Sequence, residues 1–457
     1  MCEIRCLFLC GGKQASIFYF ITPKKGMKIR ILIALFIWAP LTSFVQAQEA
    51  PETEQLNARL DSLAEETATL DKIVKKLGKF KVSAYIQGQY QYGQKDATLK
   101  VGDKNEHVEK GFNRIGIRRG RLKFEYNDGI GTGAVQIDAN DKGVSFRDLY
   151  IGVKDPWTRR SQLTAGVFNR PFGYEIGYST SGLESPERAT IIQYFFPDER
   201  DLGAMLTLRT SSASPLNFLR LDAGLFAGNS INRETDSRKD FIGRLGAEKG
   251  IGKWGKWGLG VSYYNGHVYN PTTDAYEMKG HRFEKIEKGK TGTYMKREYI
   301  GMDAQFSFLS AWGTTTLRAE GLLGTQPGIA GSSKSPNHGT RPENKPENAL
   351  FKRPFLGYFF YLVQDIGRSP FSAALKYDVY DPNTKIKGNE IGAENSHTSK
   401  TDLAQSTLGV GAIYRFNKHI RLHAYYEFNF NEKSDRVKGY ETDREDNVFT
   451  LRLQYKF

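Results

Sequence analysis

From Lys79 to the C-terminus, apolar residues recur at every second position, the period of a β-strand whose two faces meet different surroundings. In Lys81–Tyr92, one side carries Val82, Ala84, Ile86, Tyr90 and Tyr92, and the other Tyr85, Gln87, Gln89 and Gln91. Similar runs follow at Arg119–Tyr126, Gly133–Asn140, Val144–Val153, Leu163–Phe168, Gly203–Arg209, Phe218–Ala227 and Phe241–Glu248. They continue at Trp257–Tyr264, Tyr299–Phe308, Thr314–Leu322, Leu356–Gln364, Ser372–Tyr380, Leu408–Phe416, Ile420–Phe430 and Val448–Phe457, making 16 in all.

The make-up of the two faces sets the class. In Ile420–Phe430, Ile420, Leu422, Ala424, Tyr426, Phe428 and Phe430 oppose Arg421, His423, Tyr425, Glu427 and Asn429. In Phe449–Phe457, Phe449, Leu451, Leu453, Tyr455 and Phe457 oppose Thr450, Arg452, Gln454 and Lys456. A soluble sandwich also alternates. Repeated charged-versus-apolar strands of about ten residues, ending on a terminal Phe, fit a transmembrane barrel better. Such a barrel turns its apolar face to lipid and its polar face to a wet lumen, and closure pairs every backbone group. The expectation is an all-β, 16-stranded antiparallel transmembrane barrel over residues 79–457.

Connections fall into two kinds. Asn127–Gly131 and Asp155–Arg160 are tight, as at a periplasmic rim, whereas Lys95–Gly111, Asn265–Arg297, Gln326–Arg353 and Asp381–Asp402 are long and hydrophilic. Within Lys279–Arg297, seven Lys/Arg face two acids, which reads either as a basic outer mouth or as a solvated loop.

The longest interruption on the other half of the chain is Asn169–Asp201, between Leu163–Phe168 and Gly203–Leu208. It has no clear period, and loops beyond roughly 12–15 residues are usually functional or disordered. Phe172, Tyr174, Tyr178, Tyr194, Phe195 and Phe196 need a packing partner, which argues against disorder. Between strands of a membrane barrel, the insert is expected to fold into the lumen, with its aromatics on the inner wall and its charges setting pore width and selectivity.

Before the barrel, Leu56, Leu60, Leu63, Thr67, Leu70, Val74 and Leu77 recur at spacings of four and three, a heptad seam within residues 48–78. Acids lie early (Glu65, Glu66) and bases late (Lys72, Lys75, Lys76), matching the helix dipole. The seam predicts a short periplasmic helix that either docks on its own chain or forms a coiled coil between copies.

Further upstream, Met27-Lys28-Ile29-Arg30, the apolar Ile31–Ala39 and Val45-Gln46-Ala47 read as a cleaved secretory signal over residues 27–47. Residues 1–26 read as a misplaced start and hold Cys2, Cys6 and Cys10, the chain's 3 cysteines, so a mature chain has neither disulfides nor thiolate metal sites. The net charge of +14 needs the same correction: six basic residues and one acid precede Gln48, leaving 59 basic and 50 acidic residues, or +9. A basic exported protein meets phosphate, anionic solutes or lipid headgroups sooner than nucleic acid.

Several pieces, in order, resemble the phosphate-selective porin O and P family of Gram-negative outer membranes, in a form similar to Bacteroidetes members. They are Ile117–Glu125 (IRRGRLKFE), Arg147–Gly152 (RDLYIG), Ala165–Phe168, Glu184–Arg188 (ESPER), Asp198–Gly203 (DERDLG) and Gly224–Asn229, with weaker likeness at Tyr361–Asp365 and Lys376–Thr384. The resemblance implies a homotrimer of 16-stranded barrels in the outer-membrane lipid, passing anions through a constriction lined with Arg and Lys. By it, Arg118-Arg119 matches the family's paired arginines, Arg188 its constriction-loop Glu-Arg pair, and Arg200 the Arg before the Leu-Gly entry to the next strand.

Anion passage needs fixed cations along a narrow aqueous path to replace lost hydration, and Arg suits phosphate through planar bidentate contacts. Arg119, Arg121 and Lys123 share a lumen face with Glu125, so the expected anion path is Arg118, Arg119, Arg121, Lys123, Arg147 and Arg220. The expected constriction residues are Arg170, Arg188, Arg200, Tyr174 and Tyr178, and Arg209 and Arg244 are further candidates. The insert also carries Glu175, Glu184, Glu187, Asp198, Glu199 and Asp201, so it is net acidic, which weakens phosphate specificity relative to general diffusion.

Enzymatic and metal chemistry find little support. His107, His267, His281, His338 and His397 read as loop residues, and His419 and His423 are too widely spaced on one strand to chelate. No cofactor and no metal are expected. The leading expectation is a porin for passive diffusion of small anions, phosphate or polyphosphate first. The alternatives are a general or carbohydrate porin with Tyr174, Tyr178 and Tyr194 as a greasy slide, and a barrel that anchors surface-binding loops.

Overall fold

The computed structural model describes residues 51–104, 109–286 and 290–457. The export signal and the segment before it, like His107, lie outside them. Pro51–Leu77 is an α-helix (α1), with Lys75 and Lys76 in its last turn. Its seam side chains Leu60, Leu63, Leu70 and Val74 are exposed in the single chain.

The strands that follow are β1 Phe80–Gln94, β2 Gly111–Asn127, β3 Gly131–Asn140, β4 Gly143–Lys154, β5 Gln162–Asn169, β6 Arg200–Leu208, β7 Leu219–Phe226 and β8 Asp240–Ile251. Then come β9 Gly255–Asn270, β10 Thr293–Ser310, β11 Gly313–Ile329, β12 Leu350–Asp365, β13 Phe371–Asp381, β14 Gln405–Arg415, β15 Ile420–Asn431 and β16 Val448–Lys456. Each pairs antiparallel with the next, and β1 closes on β16 from Tyr85↔Lys456 to Gly93↔Val448. All sixteen expected strands are present, and closure leaves no sheet edge for the bilayer to solvate. His267 is a correction: it lies within β9, because β9 and β10 run on together beyond the expected strand ends.

Outward positions are apolar: Ile115, Phe146, Ile151, Leu245, Met302, Phe360 and Leu453 are all exposed. Trp157, Trp254 and Trp312 sit on three of the tight turns and are among the most exposed side chains, at 87%, 73% and 81%. Tryptophans level with one rim form the interfacial girdle of an outer-membrane barrel. At the tight turn between β4 and β5, Asp155 accepts backbone N–H bonds from Thr158, Arg160 and Ser161, which hold its carboxyl below the usual carboxylate range.

At the opposite end, the long connections carry cores of their own. The hairpin Ala275–Lys279/Arg282–Lys285 adds a short parallel pairing to Leu350–Lys352, and Phe283 packs with Ala349 and Phe351. Ile386, Ile391, Leu403 and Val437 form another cluster. The basic run there is partly neutralised, by Lys279–Glu284, Lys285–Asp274 and Lys296–Glu298 pairs.

Strict alternation from Arg119 would send Arg118 to the lipid. The register instead shifts between Gln87 and Gly88: Gln87 faces Arg119 and Gly88 faces Ile117, so Arg118 is the extra residue of a bulge. The bulge turns both arginines inward.

Candidate functional site

The insert folds into the lumen as expected, though Asn169, Arg200 and Asp201 belong to the flanking strands. What is left, Arg170–Glu199, is not wholly irregular: Thr190–Phe195 is a short helix (α2). The loop has two kinds of attachment.

Its two stems are apolar. Phe172, Ile176, Ile191, Ile192, Phe195 and Phe196 are buried with Phe226, Ile242, Tyr264, Tyr299, Leu322, Phe355, Phe359 and Tyr380 of the inner wall. Each such side chain contributes roughly 1.5–3 kcal/mol, so the stems are fixed. Glycines in the wall receive them: a Cβ on Gly301 would meet the Phe172 ring at 2.6 Å, and one on Gly357 would meet Ile191 at 2.8 Å. Gly357→Val is therefore expected to displace α2 or cost about 1–3 kcal/mol by overpacking. Thermal unfolding in detergent and single-channel conductance check it; no change in either would show that α2 does not seat there.

The tip between the stems, Ser179–Glu187, is held by arginines. Arg121 donates to the Thr180 hydroxyl at 3.1 Å, Arg421 to the carbonyls of Ser181 and Leu183, and Arg318 pairs with Glu184. Arg452 donates to the Pro186 carbonyl at 2.6 Å. Glu187 is the centre of the array. Arg118 binds it through two bonds of 2.7 Å, Arg452 approaches to 3.0 Å and Arg119 to 3.4 Å. Burial opposes ionisation of Glu187, but the guanidinium groups of Arg118, Arg119 and Arg452 outweigh it and hold its carboxyl well below the ordinary value of 4.5.

The residues expected to form the anion path are largely engaged in ion pairs. Arg121 pairs with Asp138 at 3.2 Å, and Lys123 with Asp148 at 3.3 Å and Glu125 at 3.1 Å. Arg147 bridges Asp138 and Asp198 at 3.2 and 2.5 Å. Arg188 pairs with Glu199 at 2.6 Å, while Arg200 reaches both Asp148, at 2.9 Å, and Glu199. Arg220 stands apart from this group and pairs with Asp222 at 2.6 Å. Arg170 has no carboxylate within ion-pair distance among the described residues; it donates to the Pro197 carbonyl and lies over the Phe196 ring.

Below the loop, on the tight-turn side, the lumen opens into a cavity of about 1140 Å3. Eight cationic side chains line it (Lys123, Arg160, Arg170, Arg209, Arg220, Arg244, Lys249 and Lys256) against Asp148, Asp222 and Glu248. Lys123, Arg220 and Arg244 are ion-paired, Arg244 with Asp303 at 2.6 Å. Among the described residues, Arg160, Arg209, Lys249 and Lys256 make no ion pair within 4 Å, whereas Arg170 is almost fully buried and is attracted to Asp201. Burial, and then the neighbouring Arg220, lower the pKa of Arg209 against the opposing pull of Asp222 and Glu248.

The three tyrosines do not form one slide. Tyr174 and Tyr178 stack at 5.5 Å and line the cavity, whereas Tyr194 packs edge-on against Tyr380 beside Lys334. Arg318, Arg421, Arg452, Arg160 and Lys256 are the residues that motif reasoning missed. Arg421 and Arg452 stand on the polar faces that alternation identifies, and that signal was enough to find them.

Comparison with known proteins finds no matching family model and no matching curated sequence. Solved structures do match in fold. The outer membrane channel DcaP of Acinetobacter baumannii superposes with a TM-score of 0.51 at 12% identity, over 83% of this chain and 97% of that one. Salmonella typhi OmpF, solved with daunomycin, gives 0.51 at 13% identity over the same shares. Closed barrel, apolar exterior, tryptophan rim and polar lumen together define an outer-membrane β-barrel of the porin fold. At these identities the likeness is one of fold alone.

Proposed function

We propose that this protein is a passive diffusion porin that favours small anions, with phosphate or polyphosphate the first solutes to test. The supporting observation is the cavity below the loop, where eight cationic side chains and only three acidic ones line one aqueous volume. A fixed excess of cations raises the local anion concentration and lowers the cost of shedding water. At the loop most arginines are ion-paired, although Arg118, Arg119 and Arg452 share the single Glu187 carboxylate, so part of the positive charge there is spent on holding the tip. This supports moderate anion preference over strict phosphate selection. In planar bilayers under a KCl gradient, the expected reversal potential has the sign of chloride preference; the opposite sign refutes the reading.

The assembly belongs to the same proposal. The exported chain, freed of residues 1–47, forms a homotrimer in the outer membrane, and the exposed seam of α1 supports it as the element that joins copies. Cross-linking in mild detergent is expected to trap a three-chain species, and deleting residues 55–77 to lower its dissociation temperature. A monomer in both cases rules the trimer out.

A further inference from the structure

Tyr174 ends a column of stacked groups. The Arg318 guanidinium lies over the Tyr361 ring at 4.7 Å and over the Tyr178 ring at 4.5 Å, and Tyr178 stacks on Tyr174. The inner members are pinned: Tyr361 bonds Ser185 and Glu175, and Tyr178 bonds Glu184 at 3.0 Å. Tyr174 is half-buried, and its backbone N–H donates to Glu320 at 2.9 Å, so the ring is held from behind and borders the cavity in front. Lys256 lines the same recess as Tyr174 and Tyr178, together with Glu248 and with Glu184, which pairs with Arg318, and the recess adjoins the cavity with its excess of cations.

A fixed aromatic face that opens on a cavity lined by eight cations and three acids is complementary to a solute of two parts. A flat or pyranose ring covers the tyrosine and an attached oxyanion meets the cations. A bare inorganic anion uses only the second half of such a surface, and a neutral sugar only the first. We propose that the Tyr174 face, with Lys256 and the cation-rich cavity wall, is a subsite for small oxyanions that carry a ring, such as phosphorylated sugars or aryl phosphates. This rests on the anion reading above and names the solutes that the cavity would favour.

The full-length porin in planar bilayers tests it, with inorganic phosphate, glucose, glucose 6-phosphate and phenyl phosphate as blockers of the chloride current. At least one ring-bearing phosphate is expected to block at lower concentration than inorganic phosphate or glucose; which of the two does so identifies the ring. Tyr174→Ala should raise its half-blocking concentration roughly fivefold and leave that of inorganic phosphate unchanged, while Tyr174→Phe, which keeps the face, should retain the block. Equal block by ring-bearing and inorganic phosphate, or an equal shift of both in Tyr174→Ala, overturns the subsite and leaves anion preference standing. A cation-preferring channel overturns both.

Discussion

Replacing Arg160, Arg209 and Lys256 together by Glu is expected to turn an anion-preferring channel into a cation-preferring one. The eight cations and three acids around the cavity leave five positive charges. Three reversals remove six and leave one negative. The three side chains were chosen because none makes an ion pair within 4 Å among the described residues, so reversing them breaks no close pair. Unit charges about 4 Å apart in water interact by about 1 kcal/mol, so the chloride-to-potassium permeability ratio should fall at least tenfold, an equivalent of about 1.4 kcal/mol. Reversal potentials in 0.1 M KCl measure it. In 1 M KCl the change should shrink, because the screening length falls from about 10 Å to about 3 Å. A variant as anion-preferring as the parent would locate selectivity elsewhere in the lumen.

The second large effect concerns Glu187. Glu187→Gln removes the carboxylate that three guanidinium groups share and leaves Arg118, Arg119 and Arg452 facing the lumen. Removing one partner of a buried pair usually costs about 3–5 kcal/mol, but water and chloride can reach a lumen, so the loss here should be smaller. The tip loses its strongest hold while the apolar stems stay seated. The expected result is a roughly three- to tenfold rise in the chloride-to-potassium ratio, from the added positive charge, together with noisier open-channel current. Unchanged selectivity and noise would show that the clamp neither neutralises the path nor steadies the tip.

Acid should do the same to the native protein, and the sign is fixed by the depressed pKa. A carboxyl held below its unfolded value stabilises the folded state above that value and stops doing so as pH falls through the folded one. Because the Glu187 carboxyl lies well below 4.5, conductance and noise should stay level from neutral pH down through the ordinary carboxylate range. The tip should loosen only in stronger acid. A transition near pH 6 that disappears in Glu187→Gln would mean that the clamp is not formed.

Much of this molecule could be read from its residues. A period of two that persists for sixteen runs, with apolar and charged residues on opposite faces, has one physical solution in a bilayer, a closed barrel. The long aromatic insert had to find a packing surface, and the lumen was the available one. Two local features escaped that logic. The bulge opposite Gln87 inverts the phase of one strand, and alternation alone cannot announce a residue that breaks it. The apolar patch of the inner wall was visible but unread. Phe355, Phe359 and Tyr361 alternate with Tyr358, Phe360 and Leu362, so both faces of β12 are apolar, which a strand between lipid and water has no use for. That second face marks where the loop lands.

The sequence by itself therefore determined the strands, their lipid and lumen sides, and the loop that enters the barrel, because each follows from the chemistry of neighbours along one chain. Only the tertiary structure decided which charges are spent on one another. Glu187 lies 68 residues from Arg119 and 265 from Arg452, yet all three meet at one carboxylate. Whether a lumen arginine attracts a solute or holds a loop depends on such distant pairings. The arginines that looked most like a path turned out to be largely a clamp. The larger excess of cations over acids lies one level lower, around the cavity.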